Sequence, residues 1–337
     1  MKRPTMKRII FRAITLIPLP IILAVVSYFL FFTNLPQLLY GQSIRNLNLD
    51  CLEFSSASYV YKMKPGKCRV KNIEYDMTFT TDANGFRNDI RINEAHDVAV
   101  IGDSHAHGFG VADNQTFSSL LESIHHFKTV NLAMGSYATM RELEVLNEYG
   151  KDAKYVAVQY CPNDFAENDE SLRLSKEEFR SRAEQNWRSL VRSYHEGKEL
   201  GLRKPLRDLA FMLRQHSYSS KSNWKRWAEE RRKIEQEAVA FARILDRYRP
   251  LLEGKRLIIF EVAGSGINSP RFKPAFEVEL GKLGWLNYRV LNTSSLLDRH
   301  DYFFLDDHIN PSGHAKLAEA IAREIRSWEG QKALINN

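Results

Sequence analysis

From residue 97 onward, five short apolar runs alternate with stretches of helical periodicity, and that alternation limits the fold more than any other feature of the chain. The runs are DVAVIG (97–102), TVNLAM (129–134), KYVAVQY (154–160), RLIIFEV (256–262) and YRVLN (288–292). Runs this short and this uniformly apolar read as strands covered on both faces, the condition of a parallel sheet. Helical patterns fall between them at 116–126, at 138–149 and in a long polar block over 176–252. A final helix opens near Pro311 and Ser312, with Ala318, Ile321, Ala322, Ile325 and Trp328 on one face. This rhythm predicts an α/β fold with a doubly wound parallel sheet of about five strands. Such folds place their chemistry at the carboxyl ends of the strands.

The other end of the chain carries a different constraint. Residues 1–12 hold Lys2, Arg3, Lys7, Arg8 and Arg12 without an acid, and residues 13–32 then run for twenty positions without a charge. A helix of that length reaches about 30 Å, the thickness of a hydrocarbon core. Positive charge before the segment and none until Arg45 after it predicts a cytoplasmic N-terminus and an exported remainder. Residues 13–32 are therefore expected to anchor the chain in the cell inner membrane by a single transmembrane helix, with the bulk of the protein periplasmic or extracellular. A cleaved signal peptide is the rival reading; the run exceeds the usual apolar region of such peptides, and no small-x-small cleavage site follows it. The expected organisation is a basic stub and anchor over 1–36, a linker and irregular or short-stranded lobe over 37–96, and the α/β domain over 97–330 with a helical insertion at about 171–253. Three cysteines in an exported chain allow at most one disulfide. Cys51 with Cys68 is the expected pair, since both lie in the irregular segment and Cys161 abuts a candidate site residue; three free buried thiols is the competing reading.

Three strand ends and one segment before the last helix are chemically loaded. The first run ends in Gly102-Asp103-Ser104, the second in Met134-Gly135-Ser136, the third in Cys161-Pro162-Asn163-Asp164, and LDDHINPSGH (305–314) precedes the last helix. A serine hydroxyl becomes a nucleophile when a base takes its proton, and acyl transfer needs donors aimed at the developing oxyanion. Ser104 can supply the hydroxyl and its own N–H, Gly135 a second backbone N–H, and Asn163 a side-chain amide. His308 is the candidate base, with Asp306 or Asp307 as the acid that orients its ring. Asp103 reads as a turn-ordering residue. His105 and His107 form a His-x-His pair, but no further ligands converge by spacing, so they are read as lining a substrate cleft.

Four blocks in this order, VIGDSHAHGFGV, VNLAMGSYATMREL, VAVQYCPNDF and DDHINPSGHAKLAEAI, resemble the SGNH (GDSL) hydrolase superfamily. The resemblance implies a flavodoxin-like three-layer α/β/α sandwich, Ser104 as nucleophile, Ser104, Gly135 and Asn163 as the oxyanion hole, His308 as base, and neither a metal nor an organic cofactor. Two positions depart from the family pattern. The family's last block reads Asp-x-x-His, but three residues before His308 stands Leu305, so the acid falls to Asp306, preferred for its two-residue spacing, or to Asp307. In the third block the usual Gly-x-Asn-Asp has become Cys161-Pro162-Asn163-Asp164, which puts the turn geometry in doubt but not the amide donor. GDSHA is also similar to the hydrolase-like domains attached to membrane O-acyltransferases of surface polysaccharides.

Residues 198–233 hold eleven Lys and Arg against four acids, a surplus equal to the net charge of +7 of the whole chain. Tyr218, Trp224 and Trp227 interleave with them, which suits a membrane surface or an anionic or sugar-containing polymer; a solvated helical lid is the plainer reading. Outside the cytoplasm no nucleic-acid partner is expected. The sequence therefore predicts a membrane-anchored serine esterase or O-acyltransferase acting on an acylated envelope glycan or lipid, with room for a membrane acyltransferase partner. The alternative is a catalytically idle subunit of the same fold that binds glycan or such a partner.

Overall fold

A computed structural model describes residues 18–32, 49–71, 74–88, 95–197, 234–264, 268–304 and 306–335. Within the uncharged stretch, Pro18–Phe32 forms a helix of 15 residues whose Ile21, Ile22, Leu23, Val25 and Val26 are exposed. Residues 13–17 lie outside the described residues, and among those described no helix is long and apolar enough to cross a membrane. The basic segment 198–233, with Tyr218, Trp224 and Trp227, also lies outside them.

Among its described residues, the segment expected to be an irregular or short-stranded lobe holds two small antiparallel ladders. Strand β1 (Leu52–Phe54) pairs with β2 (Tyr61–Met63), and β3 (Gly66–Lys71) pairs with β4 (Asp76–Thr81). Alternate residues of the second ladder, Cys68, Val70, Met77 and Phe79, turn inward and are buried, as period-two strands with one covered face must be. The Cys51–Cys68 disulfide forms and ties the start of this lobe to β3. Cys161 is buried and free.

All five expected core strands are present: β5 (Val98–Ile101), β6 (Thr129–Asn131), β7 (Tyr155–Tyr160), β8 (Arg256–Glu261) and β9 (Tyr288–Val290). They form one parallel sheet in the order β6-β5-β7-β8-β9. The run expected to end at residue 134 leaves the regular ladder at Asn131, but Leu132 and Met134 still donate to the carbonyls of Val100 and Gly102 at 2.8 and 3.1 Å. The chain thus stays extended up to Gly135.

The sheet separates two cores. Ala99, Ile101, Val156, Val158, Leu257 and Ile259 face one core, which is covered by helices Thr139–Tyr149, Ile234–Arg247 and Phe272–Lys282. Val98, Val100, Tyr155, Ala157, Ile258 and Phe260 face the other, covered by Phe117–Ser123 and Pro311–Ile335. Residues 318, 321, 322, 325 and 328 of the last helix are buried there, as their spacing requires. Helix Ile234–Arg247 falls inside the segment read as an insertion, yet it belongs to the core. Phe241 stacks on Tyr160 and Phe276 at centroid distances of 4.8 and 4.7 Å, and burying such a ring stabilises the fold by about 1.5–3 kcal/mol. The physical reason is connectivity: β7 and β8 are parallel neighbours, and a parallel pair needs a crossover element on the sheet face.

Candidate active site

The turn that follows β5 is built around a glycine. Gly102 has φ +154, and a Cβ there would stand 2.5 Å from Oε1 of Gln159 and 2.8 Å from Cβ of Ala106. That Oε1 accepts from the backbone N–H of Asp103 at 2.9 Å, so the amide of β7 can fix the turn only because position 102 lacks a side chain. Asp103 then caps the four-residue helix Ser104–His107, its Oδ1 accepting from the N–H of His105 at 2.9 Å. This is the turn-ordering role read from the sequence. Arg87, from the N-terminal lobe, holds the far side of the turn: its guanidinium donates to the carbonyls of His107 at 3.2 Å and Val111 at 2.6 Å, and to that of Gly108, while Nε pairs with Asp113. Ser104 emerges from this frame half-buried.

The segment 306–309 is brought to the same sheet edge from the other end of the chain. Tyr302 and Ile309 form an antiparallel bridge, and Phe303 N–H donates to the carbonyl of His308 at 3.0 Å. The loop presents His308 so that Nε2 lies 2.7 Å from Oγ of Ser104. On the opposite edge of the ring, Nδ1 is hydrogen-bonded to Oδ1 of Asp306, which also accepts from the N–H of His308 at 3.0 Å. Oδ1 of Asp307 stands farther away, 3.6 Å from Nδ1. A carboxylate cannot donate, so Nδ1 carries a proton in either charge state, and in the neutral ring Nε2 is left as the acceptor of the serine O–H. Both Asp306 and His308 are buried. Burial alone would disfavour the imidazolium, but the charge and hydrogen bond of Asp306, with the charges of Asp307 and Asp103, outweigh it and push the His308 pKa up to about 9. Asp306 is held below the usual carboxylate range, since its bonds to His308 and Tyr75 overcome the penalty of burial.

Gly135 and Asn163 lie just beyond the carboxyl ends of β6 and β7, the strands that flank β5. Strand order therefore puts one to either side of Ser104. The carbonyl of Gly135 accepts from Tyr61 Oη at 2.9 Å, and that of Ser136, a non-glycine residue at φ +64, accepts from Arg141 at 2.5 Å. Asn163 is exposed, in the turn Pro162–Asp164. The missing glycine before it does no harm: Cys161 has φ −121 and ψ 141, an extended conformation open to any residue, and Asp164 Oδ2 closes the turn by accepting from the Cys161 N–H at 3.0 Å.

His105 and His107 differ from expectation. Both are buried, and burial pushes their pKa values down to about 4 and about 3. His107 packs edge-on against Phe79 at 5.0 Å, beneath the N-terminal lobe, so it lines no open cleft. His105 lies 4.9 Å from the ring of His308 and forms part of its wall. Asp306, Asp307 and His308 are also a trio whose donor atoms lie within 4.8 Å of one another, the spacing a cation would need. Oδ1 of Asp306 and both ring nitrogens of His308 are, however, engaged in the chain that runs to Ser104.

No protein-family model matches the chain, and no curated protein matches it in sequence. Similar solved structures include the salicylyl-acyltransferase SsfX3 from a tetracycline biosynthetic pathway, at 13% identity and a TM-score of 0.39 over 72% of this chain and 57% of that one. A carbohydrate esterase family 2 enzyme with its carbohydrate-binding domain, from Corynascus thermopiles (Myceliophthora fergusii), matches at 11% identity and 0.41 over 75% and 71%. The lipase Lip_vut3 from a goat rumen metagenome matches at 14% and 0.34 over 66% and 94%. The chain spans less than two thirds of the acyltransferase's length.

Sequence reading missed several residues that shape the site. Gln159 had a legible signal, a lone amide in an otherwise apolar buried strand, which must find a partner. Arg87, Glu74 and Tyr75 carried no motif, because their contacts to the site are long-range.

Proposed function

We propose that the protein is a serine esterase or O-acyltransferase of SGNH type, working through a covalent acyl-enzyme. The observation that carries this reading is the line of contacts from Ser104 Oγ through both nitrogens of His308 to Asp306. In the proposed reaction Oγ attacks the ester carbonyl while Nε2 of His308 takes its proton. The tetrahedral oxyanion accepts from the N–H groups of Ser104 and Gly135 and from the side-chain amide of Asn163. His308 then gives the proton to the departing alcohol, leaving the acyl group on Ser104. A water or a sugar hydroxyl attacks next, its proton again passing to His308, and the serine is restored.

The envelope setting rests on the charge pattern of residues 1–32, and an acylated glycan or lipid is the substrate class that suits it. If an active-site fluorophosphonate is applied, the label is expected on Ser104 of the folded wild-type protein; a folded protein that takes no label would favour the catalytically idle alternative. Asn163→Ala, removing one oxyanion donor, is expected to lower kcat by about 10²–10³. A loss below threefold would remove Asn163 from the oxyanion hole. A reporter fused after residue 337 is expected to be active only outside the cytoplasm, and cytoplasmic activity would overturn the anchor and the envelope substrate together.

A further inference from the structure

Two consecutive residues of the N-terminal lobe reach across the chain to the acid of the proposed triad. Tyr75 Oη donates to Oδ2 of Asp306 at 3.0 Å, over a sequence separation of 231. Glu74 accepts with one carboxylate oxygen from the N–H of Phe304 at 2.7 Å and with the other from the N–H of Asp306. The tyrosine ring is itself wedged, its centroid 5.0 Å from Phe303 and 6.0 Å from Phe109, and Phe109 in turn packs 5.0 Å from the His308 ring. Tyr75 and Asp306 are both buried.

A carboxylate on a short side chain can rotate about its last bond, and each rotation changes which oxygen the imidazole meets. We infer that Tyr75 is a positioning residue: its hydroxyl fixes Oδ2 of Asp306, so that Oδ1 alone is presented to Nδ1 of His308. This rests on the acyl-transfer reading above. It means that the lobe preceding the α/β domain completes the site and is more than a spacer to the membrane. Glu74 clamps the backbone on which the same aspartate rides, so the pair fixes both the peptide and the carboxylate of residue 306.

Tyr75→Phe keeps the wedged ring and removes only the donor. Hydrogen bonds to a charged group are worth enough that kcat is expected to fall about 10–100-fold, with KM changed less than about twofold. A second readout separates positioning from general loosening. The charges of Asp306, Asp307 and Asp103 act on His308, the His105 ring packs 4.9 Å from it, and the buried rings of His107 and His314 lie within reach of its charge. Removing the Tyr75 donor leaves the Asp306 charge less neutralised, so the imidazolium is held more tightly and titrates at higher pH. NMR titration of the His308 ring should therefore move upward in Tyr75→Phe, whereas Asp306→Asn moves it downward. If the variant does not fold, 3,5-difluorotyrosine placed at position 75 retains the ring and strengthens the donor, and the titration should shift the other way, to lower pH. A titration unchanged in either replacement would overturn the positioning role. Because the titration needs no substrate, a protein that proves inert toward esters yet shows these shifts would sink the catalytic reading and leave the contact standing.

Discussion

Replacing Ser104 by alanine is expected to lower turnover about 10⁶-fold, the loss seen when a triad acting as a unit is stripped of its nucleophile. The expectation is this large because nothing else in the described site can replace the hydroxyl. The sulfur of Cys161 is buried, and burial with the nearby charges of Asp103 and Asp164 holds its thiol well above the ordinary value, so it is no nucleophile at neutral pH. The fold should tolerate the change, since Ser104 is half-buried and its Oγ is bonded to His308. A thermal midpoint close to wild type, no fluorophosphonate label and a rate near the solution background are expected together. Residual turnover within tenfold of wild type would show that a different group attacks the ester.

The parts of the molecule that were legible in the sequence are those specified locally. Strands β5, β7 and β8 declare themselves because both faces of each are covered, so their centres read as apolar runs broken only at Gln159, whose amide is claimed by the turn next door. Ser104 and His308 are legible because the turn chemistry around each is compact. What stayed hidden is long-range. Tyr75 meets its partner 231 positions away, and no periodicity records such a contact. His105 and His107 share a spacing that suits a surface, yet the lobe that buries His107 is folded by its own short ladders, whose inward residues give only a weak alternating signal. The core role of Ile234–Arg247 was masked by the charged stretch that precedes it: one polar block in sequence contains a helix whose Ala238, Phe241, Ile244 and Leu245 are wholly buried.

Asp306→Asn and Asp307→Asn are expected to differ by orders of magnitude, which assigns the acid whichever ester is turned over. Asparagine at 306 keeps the shape but can turn its amide toward Nδ1, favouring the tautomer that leaves Nε2 protonated and unable to accept from Ser104; a loss of about 10⁴ in kcat is expected. Asp307 lies 3.6 Å from Nδ1 with a partly exposed side chain, and a screened charge of that kind is expected to change kcat by less than about tenfold. The pH profiles carry the sign. With the neutral imidazole as the proposed base and its pKa pushed up to about 9, activity in wild type should climb with pH and level off above that value. Removing the Asp306 charge takes away the largest force that opposes burial, so the acidic limb should move to lower pH even as the plateau collapses. Asp307→Asn should move the limb the same way by less, at nearly the wild-type plateau. Equal and mild losses in the two variants would mean that neither carboxylate orients His308, and the chain of contacts from Ser104 would then be a packing arrangement rather than a proton path.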